Sequence, residues 1–280
     1  MTGNKIQSVN WHITGKCNYS CKFCYVKNLN DEIRDLEVAH NILHKLRYTK
    51  TDQLDIQKIN FVGGEPFLHP HFYELLAMAH DMGFVTSIVT NGSFIDRSNI
   101  ANIAEYTNWI GISVDSIDNQ VEANLGRGRG NHVTHALEVA EMVHDYGLKL
   151  KVNTTVTEPT YREDMHELIE HMNPHRWKIF QMLHIEGQND SCINDLSITD
   201  QQFADFRKRH QDIRLQNNVM PTFESNDDMI GSYLILDPEG EVLSNSDGKY
   251  TSYDLDEFLL NPAAVVDSRK YAERDGIYDW

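Results

Sequence analysis

The sequence predicts an α/β fold: a partial (βα)6 barrel, that is an incomplete TIM-like barrel, followed by a C-terminal extension. Three observations predict it. Apolar, β-rich segments recur six times in the first two thirds of the chain, and helical periodicity fills the intervals between them. Six units are fewer than the eight of a closed barrel. From about Gln216 the alternation stops, which divides the chain into a barrel core at 1–215 and an extension at 216–280 expected to close over the substrate site.

In chain order the strands are expected at Val9–Thr14, Lys58–Val62, Val85–Thr90, Trp109–Asp115, Leu148–Val156 and Trp177–Ile185. Helices are expected at Leu36–Arg47, Phe72–Met82, Asn131–Tyr146 and Glu163–Met172, with Gly83 and Gly147 where helix C-caps fall. Such alternation implies parallel strands joined by right-handed crossovers. In the extension, Tyr233–Asp237 reads as a strand, 237–240 as a turn into a second short strand, and Asp256–Leu260 as a helix in an otherwise irregular segment.

The 280 residues carry 25 basic and 42 acidic side chains, a formal net charge of −17. That balance argues against direct nucleic-acid binding and against an anionic membrane surface, so an anionic substrate requires a local cationic cluster. No apolar run approaches the roughly 18 residues that span a bilayer, and 1–10 contains no apolar signal core. Four cysteines, three of them within eight positions, do not form a disulfide framework. The expectation is a soluble, cytoplasmic protein with no membrane partner.

Cys17, Cys21 and Cys24 directly follow the first strand, in a loop at its C-terminal end, where α/β folds carry their active sites. Three thiolates on a four-iron cluster leave one iron without a protein ligand, which suits chemistry better than electron transfer. A structural zinc site would need a fourth ligand, for which His12 or His40 could be drafted. Cys192 stands alone and reads as an ordinary thiol. After the second strand, Gly63-Gly64-Glu65-Pro66 repeats the placement of a functional loop at a strand end. Taken alone it would read as a turn.

The strands are not uniformly apolar, as strands of a parallel sheet covered on both faces should be. Asn10, His12 and Thr14 alternate with Val9, Trp11 and Ile13; Lys58 and Asn60 alternate with Ile59 and Phe61. Gly111, Ser113 and Asp115 alternate with Ile110, Ile112 and Val114; Lys149, Lys151 and Asn153 alternate with Leu148, Leu150 and Val152. With period two, the apolar set meets the helices and the polar set points into the barrel. Lys58, Lys151, Arg176 and Lys178 then make the lumen cationic. Buried unpaired cations cost several kcal/mol each, so an anionic, phosphate-bearing substrate is expected; internal pairing, with Asp115 as a candidate, is the alternative. Lys149 is expected at a strand end, reaching water. Arg127 and Arg129 add cations in a glycine-rich loop.

The cysteine spacing, with Phe23 before the third cysteine, and the Gly-Gly-Glu-Pro loop resemble the signatures of the radical S-adenosylmethionine superfamily. Within it, Lys58–Leu68, 113–116, 126–128, Arg176–Gly187, 224–226, Ser232–Asp237 and Asp279-Trp280 together resemble the viperin family over nearly the whole chain. The resemblance implies a [4Fe-4S] cluster on Cys17, Cys21 and Cys24, and S-adenosyl-L-methionine held by Gly63, Gly64, Glu65, Asn91, Ser113 and Arg127. It implies a ribonucleoside triphosphate (CTP, UTP or GTP) held by Asn10, Lys58, Lys151, Asn153, Arg176 and Lys178. In that family a 5′-deoxyadenosyl radical takes the ribose 4′ hydrogen and the 3′ hydroxyl leaves as water, giving an antiviral chain terminator. Tyr233 is the candidate proton donor to that hydroxyl, although a tyrosine in an apolar strand is often only core. An electron donor such as flavodoxin or ferredoxin is implied as well. The animal proteins' membrane-associating N-terminal helix has no counterpart ahead of the first strand, and the family's sixth-strand cysteine is Met182 here. Another radical enzyme, acting on a peptide or a small metabolite, is the alternative. Many peptide modifiers want an auxiliary cluster, for which Cys192 alone remains.

Overall fold

The computed structural model describes residues 4–29 and 32–280, so the first three positions of the 1–10 stretch considered above lie outside the described residues. Ten strands form one sheet in the order β10-β9-β8-β1-β2-β3-β4-β5-β6-β7. Six are the expected ones: β1 Ile6–His12, β2 Leu54–Val62, β3 Val85–Thr90, β4 Trp109–Ser113, β5 Lys149–Val156 and β6 Arg176–Gln181. They pair in parallel with sequential neighbours. Between them run α1 Leu36–Tyr48, α2 Phe72–Asp81, α3 Ile100–Tyr106, α4 Asn119–Asn124, α5 His132–Asp145 and α6 His166–Met172. After β6 come α7 Ile193–Leu196 and α8 Asp200–His210, which lead to β7 Thr222–Glu224, parallel to β6.

Local chemistry accounts for the element ends. The Asp35 carboxylate caps α1 by accepting from the Glu37 N–H, and Ala39, Ile42, Leu43 and Leu46 form its buried stripe. Thr199 and Gln202 form a capping box on α8. The apolar positions of the strands, among them Val9, Trp11, Ile59, Phe61, Ile110, Ile112, Leu150, Val152, Trp177 and Ile179, join the helices' inner faces in one core.

Two expectations are corrected. The sixth strand stops at Gln181 rather than Ile185, because 183–190 folds into a loop in which Asn189 donates to the Phe23 and Leu183 carbonyls. The tail is also more ordered than expected. Beyond α9 Asn226–Met229 lie β8 Ile235–Leu236, β9 Val242–Ser244, β10 Thr251–Tyr253, α10 Leu255–Leu260 and α11 Ser268–Glu273. β8 lies parallel beside β1, and β9 and β10 continue antiparallel. β8, β9 and α10 fall where a strand, a second short strand after the 237–240 turn and a helix are expected, whereas β7 and β10, three residues each, are too short to show a period. No helix among the described residues is long and apolar enough to cross a membrane.

Candidate active site

The strands' polar faces open on one cavity of about 610 Å³, within the usual range of ligand sites. Asn10, Asn91, Ser113, Arg127, Lys151, Asn153, Lys178 and Tyr233 line it, together with Gly63, Gly64 and all three clustered cysteines.

The cysteine loop is held from below and beside. Ser20 and Lys22 donate their N–H groups to the Gly126 and Leu125 carbonyls at 3.1 and 2.9 Å. Gly126 adopts φ +88°, and a Cβ there would meet the Ser20 carbonyl oxygen at 2.2 Å, so only glycine lets the two loops touch. Phe23 is buried with Leu125, Met182, Cys192 and Leu196, which leaves Cys17, Cys21 and Cys24 as free thiols facing the cavity. Burial pushes all three thiols up, Cys21 to about 12, so thiolates here call for a positive ligand.

The donor geometry fits a cluster better than a single ion. A tetrahedral zinc with Zn–S near 2.3 Å brings its thiolates to about 3.8 Å from one another. The three sulfurs do not all lie within 4.8 Å of one another, and among the described residues only Asp164, His166 and His210 form such a set. That set is structural: His210 Nε2 accepts from the Met165 N–H at 3.0 Å and its Nδ1 donates to the Phe206 carbonyl at 2.8 Å. Neither His12 nor His40 completes a site with the cysteines.

The second loop packs on the first. Gly64 and Glu65 donate their N–H groups to the Thr14 and Lys16 carbonyls, each at 2.7 Å. A Cβ on Gly64 would stand 2.2 Å from the Lys16 carbonyl oxygen. Gly64→Ala is therefore expected to displace this loop and weaken S-adenosylmethionine binding at least about tenfold, since a loop misplaced by an ångström can cost far more. Equilibrium dialysis of the cofactor checks it, and unchanged affinity would refute the close-packing argument. Glu65 does not line the cavity. It is fully buried behind it, accepting from Thr90 Oγ1 at 2.7 Å and from the Asn91 N–H at 2.9 Å, and burial raises its carboxyl to about 7. Glu65 thereby joins the loop to the end of β3. Asn91 in turn donates from Nδ2 to Asn18 Oδ1 at 2.9 Å, inside the cysteine loop.

Arg127 is not free. Its Nε contacts Asp115 Oδ2 at 2.5 Å, with Glu122 Oε2 at 3.7 Å. Asp115, the candidate partner for a lumen lysine in the alternative reading, pairs with this arginine instead, because the glycine-rich loop folds back over the end of β4. Glu122 is fully buried and accepts from the Asp115 and Ser116 N–H groups; burial, with Asp115 beside it, pushes its carboxyl up to about 8.

β5 and β6 supply the cationic part of the lining. Burial lowers Lys151 to about 8 and Lys178 to about 7. Lys178 forms an ion pair with Glu224, whose other carboxylate oxygen accepts from the Tyr233 hydroxyl. The Arg274 guanidinium lies 3.5 Å from the Tyr233 ring centroid and 4.0 Å from Glu224 Oε1. Burial alone would raise Glu224, but Lys178 and Arg274 bring it below the ordinary carboxylate range. Lys58 and Arg176 do not line the cavity. Lys58 Nζ donates to the Tyr278 hydroxyl at 2.8 Å and sits among the Trp109, Tyr278 and Trp280 rings. Arg176 donates to the Asp275 carbonyl at 2.7 Å and stacks 3.9 Å from the Tyr278 ring centroid. The tail from Arg274 to Trp280 covers both. Lys149 is half-buried beside the Trp109 ring, at the start of β5.

Sequence patterning missed Glu224, Arg274 and the tail aromatics. Glu224 and Trp280 had a signal, since both lie in segments that carry the resemblance. Arg274 had none, being one cation in a polar tail.

Comparison with known proteins places this geometry. Residues 11–172 match the model of the Radical SAM superfamily. The chain is 37% identical over 281 residues to the S-adenosylmethionine-dependent nucleotide dehydratase of Thermoplasmatales archaeon (strain ISO4-H5), covering 99% of this chain and 97% of the relative. It is 34% identical to the protein of that name from Flammeovirga pacifica, with the same coverage, and 34% identical to that of Oncorhynchus mykiss, covering 98% of this chain and 80% of the relative. In fold it resembles Streptococcus suis SuiB bound to S-adenosylmethionine, with a TM-score of 0.69 at 17% identity, over 96% of this chain and 68% of that one. It likewise resembles anSMEcpe with bound AdoMet, with a TM-score of 0.66 at 17% identity, over 96% and 82%. The fold is thus held in common with structures bound to S-adenosylmethionine, the cysteines suit the [4Fe-4S] cluster that this superfamily uses with S-adenosylmethionine, and the chain belongs to the Radical SAM superfamily, within its family of S-adenosylmethionine-dependent nucleotide dehydratases.

Proposed function

We propose that this enzyme removes the 3′ hydroxyl of a ribonucleoside triphosphate as water, beginning with loss of the ribose 4′ hydrogen, to give the 3′-deoxy-3′,4′-didehydro nucleotide. One observation carries the reading: a single cavity joins the three cysteine thiols and the Gly63-Gly64 loop to Lys151 and Lys178 on β5 and β6. When bound, the cluster and S-adenosylmethionine supply the carbon radical that takes a hydrogen atom. The residues of this chain then bind, orient and move protons. Cys17, Cys21 and Cys24 would ligate the cluster, Gly63, Gly64, Asn91, Ser113 and Arg127 would hold the cofactor, and Glu65 would brace its loop from behind. Asn10, Lys151, Asn153 and Lys178 would hold the nucleotide, and Lys58 and Arg176 would reach it once the tail shifts. Tyr233, kept neutral at the end of the Glu224 hydrogen bond, would donate a proton to the departing hydroxyl. In this reading residues 216–280, which supply Glu224, Tyr233 and Arg274, are the part of the chain that closes the substrate side. A cytoplasmic setting and an electron donor of the flavodoxin or ferredoxin kind complete the proposal.

Reconstituted enzyme with dithionite, S-adenosylmethionine and CTP, UTP, GTP or ATP separately should form 5′-deoxyadenosine well above background with at least one of them. No stimulation by any would refute the substrate class. Protonation gives a second check. Lys151 and Lys178 carry charge only below their lowered values of about 8 and about 7, so triphosphate affinity should fall as pH rises from about 7 to about 9. Titration calorimetry at several pH values measures it, and a flat profile removes both lysines from phosphate recognition.

A further inference from the structure

The chain carries a net charge of −17, yet the loop that holds the cysteines is cationic. Residues 15–29 contain Lys16, Lys22 and Lys27 and no acidic side chain, and 125–135 contain Arg127 and Arg129 and none either. The two stretches are clamped together where Ser20 and Lys22 donate to the Gly126 and Leu125 carbonyls. A Cβ on Gly128 would stand 3.4 Å from the Tyr19 hydroxyl, so the contact continues toward Arg129. Lys22 and Arg129 therefore reach the surface on adjoining loops, both exposed. Arg129 does not line the cavity, although it was counted above with the cations of its loop.

Neither Lys22 nor Arg129 has an ion pair among the described residues. Lys27 Nζ donates to the Lys22 carbonyl at 2.9 Å, and Lys16 and Arg34 share the one carboxylate of Glu32. Exposed cations need no partner for stability, so what matters is where these are gathered. Cys17, Cys21 and Cys24 turn their thiols to the cavity, which the cofactor and nucleotide of the proposed function occupy. An electron bound for a cluster on these thiols comes from the outer side. There Cys17, Asn18, Ser20 and Lys22 are exposed, and a single layer of loop separates the thiols from solvent. On one border Asn28 bonds to Gly187 and Gln188, in a stretch that carries Glu186, Asp190 and Asp195. The positive face ends at that border.

An acidic protein is repelled by the chain as a whole and admitted only at such a face, so the same field that excludes it elsewhere orients it. Electron-transfer encounters suit a face of this kind, because they are small and led by charge. Resting on the function proposed above for the need of an electron, we propose that Lys22 and Arg129, with Lys16 and Lys27 beside them, form the docking face for a small acidic one-electron carrier protein. In each encounter the carrier loses one electron and the cluster gains it; no atom or proton is transferred.

The test measures binding of flavodoxin and of [2Fe-2S] ferredoxin to reconstituted enzyme by biolayer interferometry, without nucleotide. At least one of them should bind, about tenfold or more tightly at about 0.02 M salt than at about 0.3 M. Lys22→Glu with Arg129→Glu should weaken low-salt binding, and carrier-driven S-adenosylmethionine cleavage, at least about tenfold. Cleavage driven by dithionite, which needs no docking, should stay within about threefold. Lys208→Glu with Arg214→Glu changes the net charge equally at exposed positions on and just beyond α8, and should leave carrier binding within about threefold. Lys22→Gln and Arg129→Gln, made singly, serve where the first pair does not fold, and should each weaken binding about threefold. The proposal is overturned if neither carrier binds, if binding ignores salt, or if folded variants bind as the wild type does. An equal loss in the Lys208 and Arg214 pair also overturns it, by assigning the effect to overall charge. So does an equal loss of dithionite-driven cleavage, which would make these residues supports of the cluster. Because binding is read without nucleotide, failure of every triphosphate to stimulate 5′-deoxyadenosine formation would sink the proposed substrate and leave this result standing.

Discussion

Cys24→Ala should strip the enzyme of its visible iron–sulfur absorption and reduce S-adenosylmethionine cleavage to background, while Cys192→Ala leaves both intact. The chain has four cysteines, and only three reach the cavity. Cys192 is packed under the loop against Phe23, Leu125, Met182 and Leu196, and its thiol donates to the Asn189 carbonyl at 3.1 Å. It cannot move up to replace a lost ligand without emptying that pocket. Removing groups merely adjacent to metal ligands commonly costs 10–100-fold in affinity, so loss of a ligand itself should exceed about a hundredfold. Iron and sulfide analysis with the absorption spectrum measures it. Full cluster occupancy in Cys24→Ala, or loss in Cys192→Ala, would require a different ligand set.

Glu224→Ala should destabilise the folded protein by about 3–5 kcal/mol, the usual effect of removing one partner from a buried ion pair. Glu224 is fully buried and bonds to Lys178 and Tyr233, with Arg274 beside it. Alanine leaves two cations in the interior with no carboxylate between them. Glu224→Gln keeps a carbonyl for the Tyr233 hydroxyl and should lose less. Replacing Glu224 and Lys178 together by leucine and methionine should lose less still, because it removes both charges at once. Urea unfolding of the four proteins decides the matter. A loss below about 1 kcal/mol in Glu224→Ala would mean that water reaches the pair, placing it in the exposed class.

The same pair shows where sequence patterning stops. Lys178 was legible as an inward cation because alternation on β6 is a local property with period two. Its partner was not, since the residues that meet it come from β7, from the loop before β8 and from the C-cap of α11, tens of positions away from Lys178. Lys58 makes the point again. Its parity on β2 aimed it at the lumen, and it does lie on that face, but the tail aromatics Tyr278 and Trp280 cover it. Lys22 and Arg129 were legible as cations too. What set them on one face was the clamp between their loops, which no pattern along a chain can register.

By itself the sequence determined the parallel barrel, the loop that carries the cysteines, the Gly-Gly-Glu loop and the cationic character of the lumen. Each depends on spacing, on strand periodicity or on one residue type at one place, and these are local quantities. Only the tertiary structure decided which cations face the cavity, that Asp115 holds Arg127, that Glu224 neutralises Lys178, and which surface cations share a face. Charge pairing and hydrogen-bond satisfaction act over a few ångströms in space regardless of distance along the chain, so they exist only once the sheet has brought its ten strands together.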